Sequence, residues 1–224
     1  MPSRHEIIEE LRSVLLGPAP IADAVVPPLV FIVTNGIAGL STGATLAVSA
    51  GLVITLVRLV RMRPVRFALA GLAGTVAAAS LAAWWGSAEA FFVPGIISGA
   101  STAFVALISI MARRPMVAWT SRLVRRWPTD WYRHPRVLPA YREVTWLWAL
   151  FFAGRSAVQW NLAQQGELTT LAGVRIIGGW PALVVLLIIT YLFGTMRLAR
   201  LGGPSVEEFR TGSPPPWRGQ RRGF

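Results

Sequence analysis

Trp148, Phe152, Arg155 and Gln159 stand at i, i+4, i+7 and i+11. A helix gathers such positions into one stripe. Tyr141 extends the stripe by two turns. A guanidinium and an amide sharing a face with aromatic rings can hold an anionic or polar group, and the rings can stabilise a cation. The stretch around them, residues 146–162, is otherwise mostly apolar. An arginine at the centre of a membrane span costs about 2.5–3.5 kcal/mol even on the lenient insertion scale. It must face a bundle interior or a watery cavity and find a partner there. That partner is a carboxylate of the protein, a set of backbone carbonyls, or an anionic ligand.

Acid chemistry would need a carboxylate as general acid, its protonated form favoured by apolar surroundings. Asp23, Glu89 and Glu143 are the candidates. Asp23 approaches Arg155 only if the helix bends at Pro27–Pro28. Glu89 and Glu167 belong near the outer membrane edge. Glu143 lies about three turns from Arg155, too far along the axis for direct contact. No carboxylate is expected at mid-membrane depth, which favours a ligand or backbone partner over an internal salt bridge that merely fixes packing. Most of the ten tryptophans fit an interfacial aromatic belt. Trp148, Trp160 and Trp180 fit it less well and are candidate walls of a binding cavity.

The elements that must position these groups are membrane helices. Of 224 residues, 54% are hydrophobic and only 14% charged, too apolar a balance for a soluble domain of this size. Mean hydropathy is +0.52. Six spans are expected, at about 24–40, 42–60, 67–85, 91–112, 144–164 and 176–196. They would form an all-α bundle of three hairpins over residues 21–200. Residues 1–20 read as an amphipathic surface helix, with Ile7, Ile8, Leu11 and Leu15 on one face and no cleavable signal. Residues 116–131 read as an interfacial helix, in which Trp119, Leu123 and Trp127 recur every four residues. Residues 201–224, rich in glycine, proline and arginine, read as a disordered basic tail.

The net charge is +12, and every basic residue is arginine apart from two histidines. The arginines cluster at alternate ends of the apolar runs. Arg58, Arg61, Arg63 and Arg66 lie between spans two and three, eight lie between four and five, and Arg197 and Arg200 follow six. The other connections carry none. This alternation places both termini in the cytoplasm and the protein in the bacterial inner membrane, touching anionic lipid. It argues against a nucleic-acid partner, since no reading motif accompanies the charge. Arg155 has no topological explanation. Arg175 is its one companion. Absent cysteines exclude disulfides and thiolate metal sites, two distant histidines disfavour a metal centre, and no cofactor motif is visible. An oligomer is left open. Basic exits followed by proline ("RMRPV", "ARRPMV") hint at a parallel repeat.

The stretches "VVPPLVFIV", "SAEAFFVPGI" and "HPRVLPAYREVTWLWALFFAGRSAVQW" resemble an actinobacterial integral-membrane family known only as a domain of unknown function, DUF family 3159, over roughly residues 20–200. The resemblance matches Asp23, Glu89, Arg136, Tyr141, Trp148, Arg155 and Gln159 to family positions. At His134–Pro135–Arg136 the chain departs from the family's usual Asp-Pro-Arg. It implies a membrane fold and no assigned reaction.

Two classes of function follow. One is a membrane-embedded, aromatic-lined cavity that binds and transforms an amphiphilic isoprenoid or lipid, as a terpene cyclase would, with Arg155 and Gln159 on its polar end. The other is a non-catalytic transporter, channel or accessory subunit.

Overall fold

The computed structural model describes residues 21–61, 65–220 and 223–224. The expected surface helix at 1–20 lies outside them. Nine α-helices occur among the described residues, and no strand: α1 Ile21–Val60, α2 Arg66–Trp85, α3 Val93–Met111, α4 Met116–Arg125, α5 Thr129–Arg133, α6 Leu138–Gln164, α7 Leu168–Ile177, α8 Trp180–Leu201 and α9 Val206–Arg210. A 3-10 turn, Glu89–Phe92, leads into α3.

Four segments among the described residues are long and apolar enough to cross a membrane: Val26–Val60, Ala68–Trp85, Glu89–Met111 and Leu168–Leu201. Two of them are interrupted. α1 breaks at Gly39, whose φ of 82° and ψ of 175° suit glycine. The chain reverses there. A Cβ on Gly43 would lie 3.0 Å from Asn35, and one on Gly51 would lie 4.0 Å from the Pro27 ring. Residues 24 apart in a continuous helix would be about 36 Å apart, so the two halves of α1 pack as a hairpin. The Leu168–Leu201 segment is interrupted between α7 and α8 at Gly178 and Gly179. α6 is not among the four. Arg155, Gln159, Asn161 and Gln164 dilute the apolarity of its second half.

The chain forms two compact units. The Phe31 unit comprises residues 18–99 and 155–181. Its core stacks Phe31 on Phe91 with centroids 3.9 Å apart, and sets Phe92 edge-on to both. Ala44, Ala47, Ala78, Ala79 and Ala82 let α1 and α2 approach, and Leu171 of α7 closes the cluster. Large apolar side chains point outward, among them Ile37, Leu59 and Trp84. Such surface is stable against lipid and a liability in water.

The Trp131 unit comprises residues 100–154 and 182–224, apart from its undescribed N-terminal residues. Trp131, Tyr132 and Tyr141 form its aromatic centre. The Trp131 indole donates to the Pro204 carbonyl at 2.8 Å. The expected interfacial helix ends early. Arg126 adopts a left-handed conformation with φ 54° and closes α4. Trp119 and Leu123 stay exposed on α4, whereas Trp127 lies beyond the break and packs on Trp131.

The tail does not follow its composition, which suggested disorder. Residues 201–220 are folded around Glu208. Its carboxylate accepts from the backbone N–H groups of Ser205 (2.8 Å), Arg218 (2.7 Å) and Gly219 (3.3 Å). Ser205 in turn caps α9 through its hydroxyl. Trp217 packs against His134 and lies under the Arg136 guanidinium. Three backbone N–H groups are held by one carboxylate, a pattern that composition does not reveal.

Candidate anion-binding site

Within the Phe31 unit, three segments meet around two arginines. The second half of α6 supplies Arg155, Ser156 and Gln159. α7 supplies Arg175. The 3-10 turn and the start of α3 supply Phe92, Gly95 and Ile96. The Ser156 hydroxyl donates to the Ile96 carbonyl at 3.3 Å and fastens α6 to α3.

Arg175 lies with its guanidinium carbon 5.4 Å from the Phe92 ring centroid, a cation–π arrangement. Its guanidinium also rests on the backbone of Gly95, where any Cβ would collide with it. A glycine such as Gly95 usually serves close helix packing. Its hydrogen instead makes room for a cation. Arg155 reaches toward Gly178, where a Cβ would meet its Cδ and Nε at 3.7 Å. Arg155 therefore reaches the end of the helix that carries Arg175.

Neither arginine has an ion pair or hydrogen bond among the described residues. Arg155 Nε is buried and unpartnered, and so is Gln159 Nε2. Gln159 is only 2% exposed. A buried donor without a partner costs about 1–3 kcal/mol. Two like charges and two orphaned donors at one place are the complement of an anion with several acceptor oxygens.

The other candidates are distributed differently. Glu89 opens the turn that ends at Phe92, is partly buried, and has no partner among the described residues. Glu143 belongs to the Trp131 unit, where both its oxygens accept from Arg197, at 2.6 and 2.8 Å. Asp23 lies in α1, but its side chain is outside the described set. Tyr141 is fully buried in the Trp131 unit, stacked on Phe224 at 4.3 Å. Its hydroxyl meets no hydrogen-bonding geometry although Ser121 is near. Burial, then the Tyr132 hydroxyl, pushes its pKa up, so it stays a neutral phenol. Trp148 donates to Thr190 at 2.9 Å and packs on Phe152. Trp160 is about half exposed at 47%, and Trp180 is partly buried.

Trp148 lines a cavity of about 420 Å³ in the Trp131 unit, with Val117, Ser121, Arg125, Tyr191 and Phe224 among its other walls. The stripe read from sequence is thus divided. Its aromatic half belongs to the Trp131 unit, and its polar half, Arg155 and Gln159, to the Phe31 unit. Arg175, Phe92 and Gly95 join the polar half from other helices. Only Arg175 was visible beforehand, through its unexplained charge.

The described residues form an all-α fold with four segments long and apolar enough to cross a membrane, and with a candidate cationic site on α6, α7 and the start of α3. The chain belongs to the family described as Protein of unknown function (DUF3159), which matches residues 15–200. No curated protein and no solved structure matches it.

Proposed function

We propose that this protein binds the anionic head of an amphiphile, an isoprenoid or lipid phosphate, at Arg155, Arg175 and Gln159. The observation that carries the reading is two arginines in one unit, both without a carboxylate partner among the described residues, beside the buried, unpartnered Gln159 amide. A phosphate with two negative charges would pair with both and take the orphaned N–H groups of Arg155 and Gln159. In low-dielectric surroundings that pairing is strong.

The site sits on six spans in three hairpins, with both termini cytoplasmic, in the bacterial inner membrane. The reversal at Gly39 supports the first two spans, since it divides one long apolar segment; in this reading α6 is the fifth span and α8 the sixth. If the bound isoprenoid is also transformed, in a cyclase-like reaction begun by protonation, Glu89 is the carboxylate best suited to supply the proton. It is unpartnered and opens the turn that carries Phe92. Glu143 is already held by Arg197.

Native mass spectrometry of the protein as purified tests the reading. One phosphate-bearing amphiphile should be retained, and Arg155→Met combined with Arg175→Met should release it without loss of folded protein. Retention of the same lipid by the double variant would refute the assignment.

A further inference from the structure

The Trp131 unit carries a second concentration of positive charge. The apolar segment Glu89–Met111 ends one residue before a tight turn. Arg113 adopts φ 54° there, a conformation that costs a non-glycine residue about 1 kcal/mol or more. Arg113 N–H donates to Ile110 at 3.1 Å and Arg114 N–H to Ser109 at 2.9 Å. The Ser109 hydroxyl then accepts from Met116 N–H at 2.9 Å, which starts α4 at once.

This turn sets Arg113 and Arg114 beside Arg122 of α4 and Arg133 of α5, around a recess of about 120 Å³ that Trp119 and Tyr132 also line. Arg133 has an acidic neighbour, Asp130, at 3.7 Å. The side chains of Arg113, Arg114 and Arg122 have no ion-pair or hydrogen-bond partner among the described residues. Trp119 and Leu123, on the helix that carries Arg122, are 63% and 69% exposed.

A cationic recess at the end of an apolar segment, flanked by exposed apolar side chains, matches one kind of ligand. We infer that this recess holds the phosphate-bearing headgroup of one anionic phospholipid, with its acyl chains beside Trp119 and Leu123. A diffuse positive band would attract any anionic surface. A recess takes one headgroup, so binding is stoichiometric and charge placement matters more than charge count. The site shares no residue with the Arg155 site and stands independently of the function proposed above.

The test uses the full chain in neutral detergent with equal phosphatidylglycerol and phosphatidylcholine, read by native mass spectrometry. One phosphatidylglycerol should be retained in preference to phosphatidylcholine. Replacing Arg113, Arg114 and Arg122 by glutamine should lower that preference about tenfold. Removing the same charge elsewhere, by Arg200→Gln, Arg210→Gln and Arg218→Gln, should leave it unchanged. Equal loss in both sets, or none in the first, overturns the site. Displacement of the lipid by inorganic phosphate at millimolar concentration overturns the lipid assignment. Should the triple variant misfold, Arg122→Gln alone, on an exposed helix face, must still weaken retention, and unchanged retention overturns the inference.

Discussion

Gln159 is where folding and binding make opposite demands on one side chain. It is 2% exposed, its amide nitrogen lacks a partner, and it lies one helical turn from Arg155. A leucine of similar volume would remove the orphaned donor and keep the packing. Gln159→Leu should therefore leave the ligand-free protein as stable as wild type, or about 1 kcal/mol more stable. The same change should weaken stabilisation by an added isoprenoid phosphate. Thermal unfolding with and without that ligand reads both effects. A destabilised ligand-free variant would mean that Gln159 serves packing alone. Arg155 and Arg175 were both legible as charges with no topological role. Their proximity was not, because they come from helices separated by the Gln164–Leu168 connection and meet only through the fold.

At the scale of elements, the α9 region depends on Glu208. Three backbone donors hold its carboxyl at a pKa of about 2, below its ordinary 4.5. Because the folded value is lowered, the carboxylate's contribution is complete above about pH 4.5 and is lost as pH falls toward 2. Hydrogen-exchange protection of the Arg218 and Gly219 amides should follow that window, and Glu208→Gln should lose it already at neutral pH. Protection unchanged in Glu208→Gln would show that other contacts hold the tail.

The same scale explains what the sequence could and could not disclose. The reversal at Gly39 was legible as the boundary between the spans expected at 24–40 and 42–60. The helical period of α6 was legible too, and it placed Trp148 and Arg155 on one stripe. Period cannot say which neighbours a stripe meets. Tertiary contacts assign its two halves to different units. The tail's order was invisible for a related reason. It arises from pairings such as Trp131 with Pro204 and Glu208 with Arg218, which no local pattern encodes.

For the whole molecule, the proposed six spans with cytoplasmic termini make a direct prediction. The chain has no cysteine, so single cysteines report topology without background. Ser41→Cys and Gln165→Cys should react with an impermeant maleimide added to intact cells. Ala112→Cys and Thr211→Cys should react only after lysis. Labelling of Ser41→Cys from the inside would exclude the proposed arrangement.

The proposed function requires Arg155 and Arg175 to hold an anionic head. Titration of the purified protein with farnesyl diphosphate, with farnesol as the uncharged control, tests this most directly. The diphosphate should bind saturably, farnesol much more weakly, and Arg155→Met or Arg175→Met should each weaken diphosphate binding about tenfold or more. Equal binding of diphosphate and alcohol, or unchanged affinity in both variants, would contradict it.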